Sequence, residues 1–344
     1  MEPYIATLAR EIDAAPELSA PTVYIGGGTP SYLPAALMET VLKKITGHFH
    51  LEEGAEFTVE ANPGTASEDN CRLWRRNGVD RLSIGVQSFN DRLLKKIDRS
   101  HNAADARNTV AAARAAGFDN LSIDLIYGLP GQTLNDLKGD LRMLLDLRPE
   151  HASVYQLILE EGAPLEKMVD KGIVSLPADD ETFEMGETAT DALVKAGYVH
   201  YEISNYALPG RECRHNTSCW LGKPFLGLGS GAHSFINGKR LANPDDVHEY
   251  IRQMEARGSA STEISSDKKA EVIDYMMMRL RLINNDISYK EVDDTLGIDF
   301  KRRFALSLEK LQAEGFITVT NTSFRLSDKG IRYLDNIILE LSKM

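Results

Sequence analysis

The sequence predicts an α/β fold, a partial (β/α) barrel followed by a small winged-helix-like C-terminal domain. Three observations point to it. Short β-branched runs alternate with amphipathic helical segments through the first half of the chain. Polar residues gather where those runs end. From Tyr201 the alternation stops, and a different pattern of helices and a hairpin closes the chain.

The chain opens in a helix at residues 4–12 with no strand ahead of it, so the first strand of the βα array is expected to be missing. Strands are expected at 22–26 (TVYIG), 57–60 (FTVE), 81–86 (RLSIGV), 120–127 (NLSIDLIY) and 152–157 (ASVYQL). Helices fall between them at 34–46, 67–77, 103–116 and 134–147. Gly47, Gly78 and Gly117 are placed to end three of these in the left-handed conformation. Such alternation implies parallel crossovers and a sheet covered by helices. Beyond it come a strand and turn (YEISNYALPG), a long loop (RECRHNTSCWLGKP), a glycine-rich strand-like segment (FLGLGSGAHSF), a helix at 245–257 and a linker (GSASTEISSD). The last part reads as three helices, a hairpin (FITVTNTSFRLS) and a final helix, which is a winged-helix pattern. The domain boundaries expected are 1–240, 241–268 and 269–344.

Composition narrows the function classes. The 344 residues are 42% hydrophobic and 26% charged, ordinary for a globular chain that buries a large core. A formal net charge of −12 repels polyanions, so nucleic acid is disfavoured as a partner even though Lys301, Arg302, Arg303 and Lys310 cluster in the third helix of the wing. No apolar stretch approaches the roughly 20 residues of a membrane span, and the N-terminus lacks the basic and apolar regions of a signal peptide. Three cysteines, Cys71, Cys213 and Cys219, do not make a disulfide framework. A reducing cytoplasm is the expected setting. An open edge at 22–26 would template pairing with another chain, so a homodimer is compatible with the sequence.

The polar residues fall on one rim. Gly27, Gly28 and Thr29 follow the first run, Glu60 ends the second, Gln87 follows the third, Asp124 lies in the fourth, and Gln156 and Glu160 follow the fifth. In α/β barrels the C-terminal ends of the strands face one ligand cavity. Any one of these residues is explicable as a turn or a helix cap, but five in succession on one rim are not. Glycine backbone, a carboxylate, an arginine (Arg99) and two hydroxyl acceptors suit a zwitterion attached to a sugar. GGGTPS matches neither the dinucleotide fingerprint nor the phosphate-binding loop.

In this order YIGGGTPS, VEANP, RLSIGVQSF, IDRSH and SIDLIYGLPGQT resemble the radical S-adenosylmethionine (SAM) branch that contains oxygen-independent coproporphyrinogen III dehydrogenases and HemW-type haem chaperones. The similarity runs from about Tyr4 to Asn237. It implies that Gly27, Glu60, Gln87, Arg99, Asp124, Ile158 and His233 contact SAM, with Glu60 at its methionine end, and that Gly28 and Thr29 contact a second SAM or the substrate. In that family a strand ahead of the first one seen here ends in a Cys-x3-Cys-x2-Cys loop holding a [4Fe–4S] cluster. No such triad exists in this chain, so the resemblance implies the cluster only in a longer form.

HNTSCW resembles the His-Asn-x-x-Tyr-Trp signature of the chaperone branch, with Cys219 where tyrosine is expected. His215 and Cys219 are therefore the haem-ligand candidates. Cys213, His215 and Cys219 also have a spacing that zinc could use, but no fourth ligand is near in sequence. The resemblance implies a protein that binds haem and SAM and delivers haem to acceptor proteins. The alternative it carries is an oxidase that decarboxylates coproporphyrinogen III.

Overall fold

The computed structural model describes residues 1–265 and 267–343. Ser266 in the expected linker and Met344 at the end of the expected last domain lie outside the described residues. The chain forms two compact units, Met1–His200 with Ser204–His215, and Tyr201–Ile203 with Asn216–Met344.

The first unit begins α1 (Glu2–Ala14), β1 (Ser19–Ile25), α2 (Ala35–His48), β2 (His50–Ala61), α3 (Glu68–Arg76) and β3 (Arg81–Gln87). It continues α4 (Asp91–Lys96), α5 (Ala103–Ala115), β4 (Leu121–Tyr127), α6 (Leu134–Leu147), β5 (His151–Gln156), α7 (Pro164–Asp170) and α8 (Asp179–Lys195). Then come β6 (Val199–Glu202), β7 (Asn205–Ala207) and α9 (Arg214–Trp220), whose later residues belong to the second unit. The seven strands lie in the order β1-β2-β3-β4-β5-β7-β6. Strands β1 to β5 are parallel, and β7 runs antiparallel to β5. β1 ends the row, so the sheet is open and forms a partial (β/α) barrel.

Helix starts follow side-chain chemistry. Ser67 caps α3, and Asn102 and Thr133 open α5 and α6 with capping boxes completed by Asp105 and Asp136. Gly78 and Gly117 adopt the positive φ expected of them. Gly47 does not, because α2 runs through it to His48 and ends on extended backbone at Phe49.

The two faces of the sheet differ in kind. Phe57, Val59, Leu82, Ile84, Val86, Leu121, Ile123, Leu125, Ala152 and Val154 are buried and alternate along their strands with polar residues. Covered parallel strands usually read as continuous apolar runs, because both faces are dry. Here only one face is apolar. The other carries Thr22, Tyr24, Glu56, Thr58, Glu60, Arg81, Ser83, Ser122, Asp124, His151, Ser153 and Asn205, brought side by side by the strand register.

In the second unit β8 (His233–Ile236), β9 (Lys239–Ala242) and β10 (Thr262–Glu263) form an antiparallel sheet, with α10 (Val247–Arg257) between β9 and β10 in the chain. The expected linker thus contributes a short strand. The rest is α11 (Lys268–Arg279), β11 (Ile287–Ser288), α12 (Tyr289–Leu296), α13 (Phe300–Arg303), α14 (Ala305–Ala313), β12 (Ile317–Val319), β13 (Ser323–Leu326), α15 (Asp328–Ile331) and α16 (Leu334–Leu341). Three helices with a β11-β13-β12 sheet give the winged-helix-like arrangement. Its largely aliphatic core holds an aromatic cluster, with Phe300 stacked on Phe304 and Phe324 at ring-centroid distances of 4.5 and 5.5 Å. The single third helix read from the sequence is broken at Phe304 into α13 and α14. Lys301 lies over the Tyr289 ring and donates to the Asn321 carbonyl, and Lys310 pairs with Glu340 at 2.7 Å. Part of the basic cluster is therefore engaged within the unit.

The segment 211–224, expected as a loop, contains α9. A contact remote in sequence explains it: the Glu56 carboxylate, on β2, accepts the N–H groups of Arg214 and His215 at 3.0 Å each. Local sequence carries no trace of a cap 159 residues away.

Candidate functional site

Two of the resembling motifs are fused into one structure. The loop after β1 takes positive φ at Gly27 and Gly28 (79° and 57°), where a side chain would be strained, and a Cβ at either would meet nothing within 4 Å. Gly27 N–H donates to Oε2 of Glu60 at 3.1 Å, and Tyr24 O–H donates to Oε1 at 2.7 Å. Asn62, two residues past Glu60, donates through Nδ2 to Thr29 Oγ1 and through its backbone to Ser31 Oγ. Glu60, Gly27, Gly28 and Thr29 are thereby brought together at the end of β1, where the two glycines are exposed.

Gln87 closes β3 with φ 67°, an unusual conformation for a residue with a side chain, and it is buried. The register of β3 against β4 shifts just before it. Its Oε1 accepts from Tyr155 O–H at 3.1 Å, and burial pushes that phenol up to about 12, so it remains a donor. Arg99 is half-buried and close enough to lower Tyr155 slightly. A conformation this costly persists only where the surroundings fix it, and such positions cluster at ligand sites.

Asp124 is the titrating group of the polar face. Burial pushes it up to about 6, opposed by the Ser153 and Ser122 hydroxyls and Arg81 and reinforced by Glu60. Ser83 Oγ lies 3.3 Å from it. Arg81 is almost fully buried beneath, and its charge is felt by Tyr24, Asp124, His151 and His215 alike. A buried guanidinium among carboxylates and hydroxyls leaves this face of the sheet polar without a strong excess of either sign.

His215 sits on the β1 end of the same face. Its ring stacks on Tyr24 with centroids 4.9 Å apart and 24° between the planes, and Nδ1 lies 3.1 Å from Thr22 Oγ1. Burial lowers its pKa, with Arg81 adding to the effect and Glu56 opposing it, so the imidazole is neutral at pH 7. Cys213 is buried and its thiol contacts the same Glu56 carboxylate at 3.6 Å. Cys219 follows His215 by one turn of α9, and burial pushes its thiol up.

Two expected residues remain, Ile158 and His233. Ile158 lies beyond the end of β5 and is 80% exposed. His233 opens β8 in the second unit and is exposed. That unit has its own cavity of about 380 Å³, lined by Trp220, Met277, Met278, Arg281, Ile338 and Leu339 among others. Arg281 lies over the Trp220 ring, 4.8 Å from its centroid.

Among the described residues no group of three or more histidine, cysteine or acidic side chains is arranged to hold a metal ion. Cys71 is buried on α3, its thiol pushed up to about 12 by burial, which makes it inert. A [4Fe–4S] cluster held by three thiolates therefore does not fit the residues present, and the zinc spacing of Cys213, His215 and Cys219 is not realised as a site. Sequence reading missed Glu56, Arg81, Ser83, Ser122 and Ser153. The signal was available: charged and hydroxyl residues alternate with aliphatic ones in every strand, at period two.

Residues 2–144 match the radical SAM superfamily, and residues 267–333 match the HemN C-terminal domain. The heme chaperone HemW of Lactococcus lactis is 36% identical over 329 residues, covering 96% of this chain and 84% of that protein. Its Escherichia coli counterpart is 34% identical, with 93% and 83% covered. Among solved structures, coproporphyrinogen III oxidase (HemN) from Escherichia coli superimposes with a TM-score of 0.84 at 23% identity, over 99% of this chain and 83% of that one, a likeness of fold. With such identity along nearly its whole length, the chain belongs to the HemW heme chaperone family.

Proposed function

We propose that the chain binds haem through His215 and passes it to acceptor proteins, with SAM held on the polar face of the partial barrel. The observation that carries the haem reading is the state of His215: a neutral imidazole, pinned on Tyr24 and oriented by a helix that Glu56 caps. A neutral imidazole is what iron porphyrin takes as an axial ligand. Cys219 is the weaker donor, since its buried thiol keeps its proton.

What supports SAM is the exposed backbone of Gly27 and Gly28, with Thr29, beside Glu60, and Gln87, Arg99 and Asp124 on or after the following strands. Glu60 meets an ammonium, Asp124 and Gln87 accept from hydroxyls, and Arg99 meets a carboxylate. Ile158 and His233 rest on the resemblance alone. Bound SAM would supply a cationic sulfonium and an adenosyl group. Three free cysteines fit the reducing setting of a cytoplasmic protein.

Haem titration followed by the Soret band tests the reading. His215→Ala should shift the band and weaken binding at least tenfold, the scale of a lost coordinate bond. Unchanged spectra and affinity would remove His215 from the haem site.

A further inference from the structure

Tyr24 touches two groups that the functional reading assigns to different ligands. Its hydroxyl donates to Glu60, the carboxylate for an ammonium, while its ring carries the His215 imidazole. Thr22, two residues back and so on the same face of β1, holds the other edge of that imidazole through Nδ1. Glu60 is anchored on its second oxygen by Gly27 N–H, so its charge is fixed in direction. Burial and the Glu60 charge both push the phenol pKa upward, which keeps the hydroxyl a donor at any ordinary pH.

We propose that Tyr24 is a positioning residue that couples the Glu60 site to His215, so that a cationic amine ligand at Glu60 weakens haem binding at His215. The inference rests on the reading of His215 as a haem ligand and Glu60 as a ligand carboxylate. A phenol bonded to a carboxylate has a more electron-rich ring, held in one orientation. That ring favours an imidazole bearing partial positive charge, which is the imidazole that has given its lone pair to iron. Pairing Glu60 with an ammonium removes part of the polarisation and competes for the bond. Linkage makes the effect mutual: haem on His215 weakens the amine ligand by the same factor. Glu56 and Arg81 also act on His215, and Arg81 acts on Tyr24 as well, but both stay constant across the variants.

The test is a double-mutant cycle on the full chain: wild type, Glu60→Gln, Tyr24→Phe and the double variant, with Glu60→Asp added and thermal melts to confirm folding. The first readout needs no ligand. It is the imidazole nitrogen chemical shifts of His215, assigned by their loss in His215→Ala. Glu60→Gln should move these signals in the presence of the Tyr24 hydroxyl and leave them unmoved in Tyr24→Phe. Glu60→Asp, which keeps the charge but withdraws the carboxylate, should move them as Glu60→Gln does. The second readout is haem affinity, expected to fall by about two- to fivefold in Glu60→Gln and not at all in the Tyr24→Phe background. Equal shifts with and without the hydroxyl, or none at all, would overturn the coupling. Should the nitrogen shifts follow the cycle while His215→Ala leaves haem binding intact, the coupling stands and the haem assignment fails.

Discussion

The carboxylate of Glu56 accepts the backbone N–H of His215 at 3.0 Å, and this one acceptor turns an expected loop into the start of α9. Glu56 is only 5% exposed, so its carboxylate is buried against the positive end of a short helix. The arrangement fixes the candidate ligand by its backbone, while Tyr24 and Thr22 fix it by its ring.

Glu56→Ala should therefore loosen α9 and blur the His215 geometry. A buried charge-assisted cap lost from two N–H groups predicts a stability loss of about 2 kcal/mol. Haem titration should show a broader Soret band and weaker binding, while Glu56→Gln, which keeps an acceptor, retains most of both. Equal melting temperatures for Glu56→Ala and wild type would contradict this account.

Gln87→Gly separates strain from binding. Relief of positive φ at a buried side chain predicts a gain in stability of about 1 kcal/mol, reduced by the lost Tyr155 hydrogen bond. Calorimetric SAM binding should weaken in the same variant. A variant both less stable and unchanged in binding would refute the view of Gln87 as a strained ligand contact.

Asp124 predicts a pH signature. Its folded pKa of about 6 lies above the ordinary 3.8, so the folded chain holds a proton that the unfolded chain releases. Stability thus falls as pH rises from about 4 to about 6 and is level above that, by about 3 kcal/mol from this group. Asp140, also raised to about 6 by burial, titrates in the same window. Asp124→Asn should remove its own share of the slope in urea melts taken across pH 4 to 7 and leave that of Asp140. An unaltered slope would show that Asp124 does not hold its proton.

In the second unit Arg281 pairs with Glu202 at 2.5 Å, and the Glu202 side chain is completely buried. Removing the cation takes the guanidinium away from a buried carboxylate, so Arg281→Ala should destabilise by about 2 kcal/mol. Replacing both residues by apolar ones of similar size should recover most of that loss. Denaturant midpoints of the single and double variants decide it, and a harmless Arg281→Ala would count against the pair.

The parts of the fold that were legible in the sequence are those set by short-range chemistry. The β-branched runs located β1, β3, β4 and β5, and the helix periods located α5 and α6. The rim residues Glu60, Gln87 and Asp124 were legible because they end strands or interrupt apolar ones. The helical state of 214–220 was not, since its determinant is Glu56 on a distant strand. Nor was the break at Phe304, where aromatic stacking on Phe300 overrides a continuous helical pattern. Arg81 escaped notice for a simpler reason: a lone arginine at a strand start reads as solvent-facing, and only the closed register buries it.

The two-sided character of the sheet reaches into thermodynamics. A filled eight-stranded barrel stacks aliphatic layers inside its strands, and their hydration on unfolding dominates the heat-capacity increment. Here the inner face carries Glu60, Arg81, Ser83, Ser122, Asp124 and Ser153, and polar groups lower that increment when they meet water. The first unit should unfold with an increment below the usual 12–15 cal/mol/K per residue. Its stability curve is then shallow, changing little between refrigeration and body temperature, so the polar inner face also shields the unit from cold denaturation.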